Sequence, residues 1–486
     1  MTSQDEWCLS FDRGTLILER GKTSADANTA SLGAASPDTT GRVPPKVPPA
    51  WVPADFLYDD RIDAFRAPGV AYASTILAAK QERISIRDTA RAYKELSLTV
   101  MARKEPRPYQ VEALQAWEKA KRRGVVVLPT GAGKTHLATM VIEKAQRSTL
   151  IVAPTLELVR QWFEVLSSTF RVPVGIVGGG EHTVESLTVT TYDSAHIHMP
   201  RFGDKFGLVV FDECHHLPSP SYATAASACI APFRLGLTAT PERQDQREHD
   251  LAEWIGPLCY RKEIVELSGE FLSEYRTEKI LVRLSDEERT EYQEERALYL
   301  AFVKSHAIAM GDPDGFSRFI LLSSRSDEGR RAMNAYRRQR EIAFANQTKL
   351  DVVEQLLSEH AQDRCILFTQ DNDTAYKLAR RFLIPALTHR THVRERSEIL
   401  AKFREGTYGA IATSKVLNEG VDVPEARVAI ILSGSGSVRE HVQRLGRILR
   451  KQADKQAILY ELVSSDTTEA NVSERRREHS AYRRTR

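Results

Sequence analysis

The sequence predicts an α/β protein with two parallel-sheet domains, a helical insert between them and a small α+β domain before them. Short apolar runs alternate with helical patterns twice, from about 103 to 262 and again after about 350. This alternation is typical of parallel sheets covered by helices. The residues between the two stretches are highly charged and follow a helical pattern. The predicted division is 1–100, 101–283, 284–346 and 347–468, with a basic tail at 469–486.

The first hundred residues follow a different pattern from the two α/β domains. WCLSFDRGTLILER at 7–20 contains two strand-like runs around Asp-Arg-Gly, which predicts a hairpin. Residues 21–54 are rich in Ser, Ala, Thr and Pro, so we expect a loop or semi-rigid linker there. A helix is predicted around 86–97.

Composition narrows the class of protein further. The chain is 42% hydrophobic and has a net charge of +3, so any nucleic-acid surface must be local. The five cysteines form no CxxC pair, and their spacing predicts no disulfide framework. The first residues, MTSQDEWCLS, are polar, and no apolar run approaches the roughly 18 residues that span a bilayer. We therefore expect a cytoplasmic protein with no membrane partner.

The segment VVVLPTGAGKT at 125–135 is the first chemical motif. A buried strand runs into a glycine-rich turn and then a helix, an arrangement in which backbone N–H groups and the helix N-terminus bind phosphate. Thr130, Gly131 and Gly133 are predicted to surround the phosphates of ATP. Lys134 would reach the β- and γ-phosphates, and Thr135 would bind Mg²⁺.

This motif departs from the full pattern G-x-x-x-x-G-K-[ST], because position 128 holds Leu. The variant P-T-G-x-G-K-T is the form used by nucleic-acid motors. The alternative is an ordinary glycine turn before a helix.

The segment VVFDECHHLP at 209–218 carries the second motif. Its strand ends in Asp212 and Glu213, and in a parallel sheet that end faces the same crevice as the phosphate loop. Asp212 is predicted to hold Mg²⁺ through water, and Glu213 to orient and deprotonate the attacking water. A zinc site is the alternative, but three sequential residues, Cys214-His215-His216, are expected to point in different directions.

Further motifs complete the set. They are RPYQ at 107–110, APTLELVRQW at 153–162, VTTYDSAH at 189–196, LTATPER at 237–243, ILFTQ at 366–370, ATSKVLNEGVDVPEA at 412–426 and SGSGSVREHVQRLGRILR at 433–450. Together they resemble superfamily 2 helicases, and within these the xeroderma pigmentosum group B (XPB) family in its short archaeal or bacterial form. The resemblance covers roughly residues 103–475 and, more weakly, the first hundred.

The resemblance implies roles for residues in these motifs. Gln110, with Arg107, would read adenine, and Gly420 and Asp422 of the second domain would also bind ATP. Further roles follow from the same motifs: Thr238 and Thr240 would couple hydrolysis to movement. APTLELVRQW and VTTYDSAH, the latter with Thr191, would contact the nucleic-acid strand.

The last motif is the most extensive match. Gln443, Arg444, Arg447 and Arg450 recur at three- and four-residue spacing, so part of the set shares one helix face. By resemblance Gln443, Arg447 and Arg450 are catalytic, and the two arginines reach the γ-phosphate across an interdomain cleft. A solvated basic helix is the alternative.

Two blocks are expected to act on DNA. Arg243-Gln244-Asp245 stands where the family has an Arg-Glu-Asp loop implicated in strand separation, and here Gln removes a charge while keeping hydrogen bonding. The insert stands where the family has a thumb-like element that grips DNA, and a plain solvated helical pair is its alternative. Its basic and aromatic residues are Arg318, Arg325, Arg330, Arg331, Arg337, Arg338, Arg340, Phe316, Phe319 and Tyr336.

The resemblance implies an ATP-dependent DNA helicase or translocase with two RecA-like domains, which uses Mg²⁺ and ATP to open or remodel duplex DNA in nucleotide excision repair. Its expected partners are fork or damaged duplex DNA and a nuclease or other repair protein, and its N-terminal domain would recognise DNA damage. One alternative is a double-strand translocase without net unwinding, or an RNA-directed motor. Another is a DNA-binding scaffold whose ATP site gates a nuclease.

Overall fold

The structure is a computed structural model that describes residues 7–20, 47–101, 104–242, 247–271, 273–312, 314–414, 426–433 and 457–469. The chain forms two compact units: the first comprises 1–128 and 133–262, and the second comprises 263–486 together with the short segment 129–132. Of the predicted proline-rich loop, residues 21–46 lie outside the described residues. Within the described ranges, no helix is both long and apolar enough to cross a membrane.

The first unit begins with a five-stranded sheet of order β3-β4-β2-β1-β5. Its elements are β1 (Trp7–Asp12), β2 (Thr15–Arg20), β3 (Leu57–Asp59), β4 (Ala64–Pro68), α1 (Tyr72–Gln81) and β5 (Ile86–Asp88). Strands β1 and β2 form the predicted hairpin. The helix predicted around 86–97 is wrong, because β5 pairs with β1 and the amides of Thr89 and Ala90 both donate to the carbonyl of Leu9. These long-range backbone bonds override the local helical pattern.

This N-terminal sheet packs closely on the rest of the first unit. Gly14 has φ +89°, and a Cβ at this position would lie 2.7 Å from the Cβ of Ala228. Ile230 belongs to the apolar core of the N-terminal sheet. The guanidinium of Arg147 lies over the ring of Tyr93, which belongs to the same N-terminal core, at 5.3 Å. The small sheet and the sheet that follows it are therefore tightly packed together.

The second sheet of the first unit has eight strands in the order β13-β6-β12-β11-β7-β10-β8-β9. Its strands are β6 (Arg123–Val127), β7 (Thr149–Ala153), β8 (Val174–Gly178), β9 (Glu181–His182), β10 (Leu187–Thr191), β11 (Leu208–Asp212), β12 (Phe233–Thr238) and β13 (Leu258–Arg261). The helices are α2 (Pro108–Lys119), α3 (Lys134–Ala145), α4 (Leu156–Phe170), α5 (Tyr192–Phe202), α6 (Ala223–Ser227) and α7 (Asp250–Trp254). All pairings are parallel except that of β8 with β9. The central strands of this sheet, β7 and β11, are mostly apolar and are buried along their whole length, as in sheets covered on both faces.

The second unit contains a six-stranded parallel sheet of order β14-β19-β18-β15-β17-β16. Its strands are β14 (Tyr275–Val282), β15 (Cys365–Phe368), β16 (Ala386–Leu387), β17 (Ala410–Thr413), β18 (Val428–Ile431) and β19 (Ala457–Ser464). Its helices are α8 (Ile264–Leu267), α9 (Asp286–Ser305), α10 (Gly315–Ser323), α11 (Asp327–Ala345), α12 (Gln347–Glu359), α13 (Asn372–Phe382) and α14 (Val393–Glu405). The predicted boundary after residue 283 differs from this division, because β14 pairs along its whole length with β19.

The insert between β14 and α12 is helical, as the charge pattern predicted. Ser285 starts α9 with a capping box, in which its hydroxyl accepts the amide N–H of Glu288. Helices α9 and α11 lie side by side, and Arg338 of α11 forms an ion pair with Glu291 of α9 at 2.6 Å. Phe319 of α10 is fully buried in the apolar core of the insert, so its ring cannot stack on a base.

A buried lysine joins the insert to the sheet of the second unit. Lys349, near the start of α12, is fully buried. Its Nζ donates to the carboxylate of Glu469 at 2.6 Å, to the carbonyl of Leu432 at 2.7 Å and to the carbonyl of Ala343 at 3.1 Å. Glu469 follows β19, Leu432 follows β18, and Ala343 lies in α11. The ammonium group therefore fixes the end of α11 against two strand ends.

Lys349→Met should destabilise the second unit by about 3–5 kcal/mol, because it leaves the Glu469 carboxylate buried without its cation. Lys349→Met combined with Glu469→Gln should recover part of the loss, since no buried charge then lacks a partner. Unfolding by denaturant measures both. Lys402→Met is the control: Lys402 pairs with Glu398 at the surface, and its loss should leave the midpoint near wild type. Equal stability of Lys349→Met and Lys402→Met would show that Lys349 is not needed to compensate the buried charge of Glu469.

Candidate nucleotide-binding site

Three neighbouring strands of the first unit's sheet end at the candidate site. β12 lies between β6 and β11, and all three run parallel. β6 leads into the predicted phosphate loop, β11 ends at Asp212, and β12 ends at Thr238. Because the carboxyl ends of parallel strands share one edge of the sheet, the fold brings together motifs about 80 residues apart in sequence.

The phosphate loop has the backbone shape that its glycines predict. Gly131 has φ +84° and Gly133 has φ +80°, a left-handed conformation that favours glycine. A Cβ on Gly133 would lie 2.5 Å from Nε2 of Gln110, so the site also has no room for a side chain there. Lys134 is the first residue of α3, and Thr135 follows it at the exposed start of the helix. Thr130 precedes Gly131 in the turn that leads from β6 to α3.

Gln110, the predicted adenine reader, is almost fully buried. Its Oε1 accepts the amide N–H of Arg107 at 2.9 Å, and its Nε2 donates to the carbonyl of Gly133 at 3.1 Å. The Arg107 guanidinium donates to the hydroxyl of Tyr109 at 2.8 Å. In this structure the Gln110 side chain thus ties the start of α2 to the phosphate loop.

The two acids of the second motif have different surroundings. Glu213 has φ +47°, a left-handed backbone that is uncommon for a residue with a side chain. Its Oε1 accepts a hydrogen bond from Nζ of Lys134 at 2.9 Å. Asp212 is buried, and its Oδ1 accepts the amide N–H of Glu213 at 3.0 Å. The phosphate-loop lysine and the predicted base are therefore in direct contact.

Two aromatic residues also donate hydrogen bonds to Asp212. The indole Nε1 of Trp162, in α4, donates to Oδ2 at 2.8 Å. The hydroxyl of Tyr192, at the start of α5, donates to the backbone carbonyl of Asp212 at 2.9 Å. Both rings are almost fully buried. Sequence reasoning assigned neither residue a role, although each lies in a quoted motif, because their hydrogen-bonding partner depends on how the strands and helices pack.

Electrostatics at Asp212 favour a bound cation. Burial and, next, the negative charge of Glu213 raise the pKa of its carboxyl, while Lys134, the Trp162 indole and the Glu213 amide oppose the shift, and the net pKa is about 6. The carboxylate is thus short of positive charge, and a divalent cation would supply it. With the open glycine turn and a helix N-terminus on the same edge, the residues present fit Mg-ATP.

The three residues after the acids are used in other ways than zinc binding. Cys214 is buried in the apolar core, and burial raises the pKa of its thiol, which keeps it neutral. The ring of His216 lies 5.9 Å from that of Tyr192. The rings of His215 and His216 nevertheless lie only 4.4 Å apart, because residues 214–216 form a 3-10 turn. Among the described residues, no three His, Cys, Asp or Glu side chains group as metal ligands would.

His215 links the acid motif to the predicted coupling motif. Its Nδ1 lies 3.0 Å from Oγ1 of Thr238 and 3.5 Å from Oε2 of Glu213. Oγ1 of Thr238 in turn accepts the amide N–H of Thr240 at 3.2 Å. Sequence reasoning gave His215 no role beyond the zinc alternative, whereas the structure places its ring between Glu213 and Thr238.

Thr191 is buried, and its hydroxyl accepts the amide N–H of Ser194 at 3.1 Å as the N-cap of α5. In this structure it therefore shapes the start of α5. The remaining predicted site residues lie outside the described residues: Arg243, Gln244, Asp245, Gly420, Asp422, Gln443, Arg444, Arg447 and Arg450.

Family models match three parts of the chain. The xeroderma pigmentosum group B helicase damage recognition domain matches residues 40–90. The res subunit of type III restriction enzymes matches residues 103–243. The ERCC3/RAD25/XPB C-terminal helicase matches residues 330–481.

Solved structures share the fold at low sequence identity. The helicase domain of Hef from Pyrococcus furiosus has a TM-score of 0.50 at 20% identity, covering 76% of this chain and 97% of that one. Dbp5 from S. cerevisiae, bound to RNA and ADP BeF3, has a TM-score of 0.53 at 14% identity, covering 77% and 88%. These two proteins support the RecA-like fold alone.

Whole-chain relatives are more similar. The DNA 3'-5' translocase XPB2 of Sulfurisphaera tokodaii is 40% identical over 86% of this chain and 97% of its own length. The DNA 3'-5' helicase XPB of Kineococcus radiotolerans is 32% identical over 76% of this chain and 62% of its own, and that of Mycobacterium tuberculosis 30% identical over 73% and 60%. The chain thus spans nearly all of the archaeal relative and about three fifths of the bacterial ones. It belongs to the XPB family of superfamily 2 helicases.

Proposed function

We propose that this chain is an ATP-dependent DNA helicase or translocase, which couples Mg-ATP hydrolysis to opening or remodelling duplex DNA. The observation that carries the proposal is the contact of Lys134 with Glu213 beside the buried Asp212, at one edge of a parallel sheet. Its relatives are named as 3'-5' helicases and translocases, and we propose the same polarity here.

In this proposal each residue of the site has a separate task. Gly131, Gly133 and the start of α3 bind the phosphates through backbone N–H groups. Lys134 neutralises phosphate charge, and Thr135 and Asp212 hold Mg²⁺, which supplies charge neutralisation in the transition state. Glu213 then orients the attacking water and accepts its proton. In this structure the Lys134–Glu213 contact keeps both side chains at the site.

Residues of the second unit complete the proposed site by resemblance. Arg447 and Arg450 are proposed to stabilise charge on the γ-phosphate, with Gln443 beside them, and Gly420 and Asp422 to bind ATP. An arginine supplied in this way is worth about 10³–10⁵ in rate in other nucleotide hydrolases. It also ties hydrolysis to the arrangement of the two RecA-like domains.

Coupling to DNA is proposed to begin at the path from Glu213 through His215 to Thr238 and Thr240. Because Nδ1 of His215 lies 3.5 Å from Glu213, a change of charge at Glu213 would alter the hydrogen bond between His215 and Thr238. Thr240 lies three residues before Arg243, which begins the proposed strand-separating loop. In this loop Arg243 and Asp245 are proposed to separate the strands through their charges. Gln244, at the middle position, can form hydrogen bonds but carries no charge.

The insert is proposed to grip the DNA backbone. Three of the seven arginines predicted to contact DNA already have partners: Arg330 with Asp327, Arg338 with Glu291 and Glu341, and Arg340 with the hydroxyl of Tyr336. The exposed arginines suited to phosphates are Arg318, Arg325, Arg331 and Arg337. Phe316, a residue that is 43% exposed, is the aromatic residue suited to stacking.

A role in nucleotide excision repair is proposed from the damage-recognition match at 40–90. The relative from Encephalitozoon cuniculi is named a helicase/translocase subunit of a transcription and DNA repair factor. We propose that this chain likewise works with a protein partner, a nuclease or another repair protein.

The second candidate is a translocase that moves on duplex DNA without net unwinding. The name of the 40% identical relative, a DNA 3'-5' translocase, favours it. Unwinding of a forked duplex, compared with displacement of a third strand from a triplex, separates the two candidates. Displacement without unwinding would select the translocase.

Lys134→Ala and Glu213→Gln should each abolish DNA-stimulated ATP hydrolysis, for different reasons. Lys134→Ala loses phosphate binding, so the affinity for ATP should fall. Glu213→Gln keeps shape and phosphate contacts but loses the base, so ATP should stay bound and the DNA-gripping state accumulate. ATP binding, turnover and DNA affinity measured together test this. Turnover of Glu213→Gln near the wild-type rate would show that another group is the base.

Replacing Arg318, Arg325, Arg331 and Arg337 together by Ala should weaken DNA binding and flatten its salt dependence. Each lost phosphate contact removes about 0.7–0.9 from the slope of log K against log salt. Hydrolysis without DNA should be unchanged, because the ATP motifs lie outside the insert. Arg338→Ala, which removes an arginine already paired with two glutamates, is the control. A salt slope as steep as that of wild type would show that the DNA grip lies elsewhere.

A further inference from the structure

Asp212 is held by more than its own strand. Its Oδ1 accepts the neighbouring amide of Glu213 at 3.0 Å, and its Oδ2 accepts the indole N–H of Trp162 at 2.8 Å. An ionised carboxylate has about four lone-pair positions, so two donors fix its plane and leave positions for metal-bound water. One donor is local, and the other comes from a helix 50 residues away in sequence.

The backbone of Asp212 has a second remote contact. The hydroxyl of Tyr192 donates to its carbonyl at 2.9 Å. The ring of Tyr192 is stacked on Phe211, with centroids 6.4 Å apart and an interplanar angle of 27°. Phe211 precedes Asp212 in β11, so Tyr192 supports both the last peptide of the strand and the side chain before it.

The two donors stand on the segments predicted to contact the nucleic-acid strand. Trp162 ends APTLELVRQW in α4, and the same helix exposes Arg160 two residues earlier. Tyr192 lies in VTTYDSAH and opens α5, next to the capping residue Thr191. If a bound nucleic-acid strand moves α4 or α5, the hydrogen bond from that helix to Asp212 would shift the position of Asp212.

Resting on the function proposed above, we infer that Trp162 and Tyr192 are positioning residues that set the metal-binding geometry of Asp212 and make it respond to bound DNA. Neither residue touches nucleotide in this assignment. Trp162 fixes the carboxylate, and Tyr192 fixes the peptide that carries it. The DNA-contact segments and the metal acid are thereby joined without a contribution from the second unit.

A purely structural role would predict different behaviour. A buried indole N–H or hydroxyl needs a partner for stability alone, and Asp212 would then be a convenient acceptor. In that case removing the donor would change stability and leave the metal dependence of nucleotide binding intact. The two roles are therefore separable by experiment.

Tyr192→Phe removes only the hydroxyl donor, whereas Trp162→Phe removes the indole N–H together with one of the two fused rings. The chain offers matched controls. Trp117 is a fully buried indole that donates to the carbonyl of Arg234 at 2.9 Å, and Tyr72 is a buried tyrosine whose hydroxyl donates to the carboxylate of Asp88 at 2.6 Å. Trp117→Phe and Tyr72→Phe remove similar donors from other acceptors, and Trp117→Phe also loses the same ring as Trp162→Phe.

The first measurement is the gain in affinity for a fluorescent ATP analogue when EDTA is replaced by Mg²⁺. Trp162→Phe should lower this gain roughly tenfold, equivalent to about 1.4 kcal/mol, and Tyr192→Phe about threefold. Affinity in EDTA should stay at the wild-type value for both variants, because the phosphate loop is intact. The controls should keep the full gain.

The second measurement is the stimulation of ATP hydrolysis by DNA, together with DNA affinity. Both variants should lose most of the stimulation at saturating DNA while binding DNA as tightly as wild type. A Mg²⁺-dependent gain for Trp162→Phe equal to that of Trp117→Phe would overturn the positioning role. If DNA stimulated ATP hydrolysis normally in a variant whose Mg²⁺-dependent gain in nucleotide affinity is reduced, the proposed link between Asp212 and bound DNA would be wrong. If wild type itself showed no stimulation, the proposed function would fail, and the binding measurement would still decide the role of Trp162.

Discussion

The burial of the Asp212 carboxylate is the constraint around which the candidate site is organised. A negative charge at the end of a central, apolar strand is unfavourable unless nearby groups compensate it. The chain supplies the Glu213 amide, the Trp162 indole and the nearby ammonium of Lys134. Each comes from a different element, and the parallel sheet brings those elements to one edge. These groups compensate the buried negative charge of Asp212 only in part, so the pKa of its carboxyl stays raised. A bound metal ion would supply the remaining positive charge.

The second unit contains the opposite arrangement. Lys349 is a buried cation, and its compensation is complete within the protein: two carbonyls and the Glu469 carboxylate accept its hydrogen bonds. Asn346 strengthens the same connection between the helices and the sheet. Its side chain caps α12 and also donates to the hydroxyl of Ser464, the last residue of β19. A satisfied buried charge of this kind fixes geometry. It determines how the insert leaves the sheet of the second unit, whereas Asp212 keeps room for a ligand.

Sequence predicted those parts of the structure that depend on local pattern. The apolar runs gave the strands, the glycines at 131 and 133 gave the left-handed turn, and the acids at the end of β11 fell beside Lys134. Contacts that depend on packing were not predictable. Trp162 and His215 acquire their partners from strands distant in sequence, and Phe319 lies in the insert's core although it stands next to Arg318. The residues at 86–88 follow β1 instead of their helical pattern, and β14 belongs to a sheet completed by residues 457–464.

The close packing of Gly14 against Ala228 has a consequence for how the motor could be observed. A hairpin that leaves no room for a methyl group at its contact cannot rotate independently of the sheet beneath it. The N-terminal sheet and the ATP-binding sheet should therefore tumble and turn as one body. A spin label or dye attached at the exposed Glu19 of β2 would report the orientation of the whole first unit, at a distance from any residue that the chemistry uses. Single-molecule recordings could then follow each catalytic cycle without a label near the nucleotide.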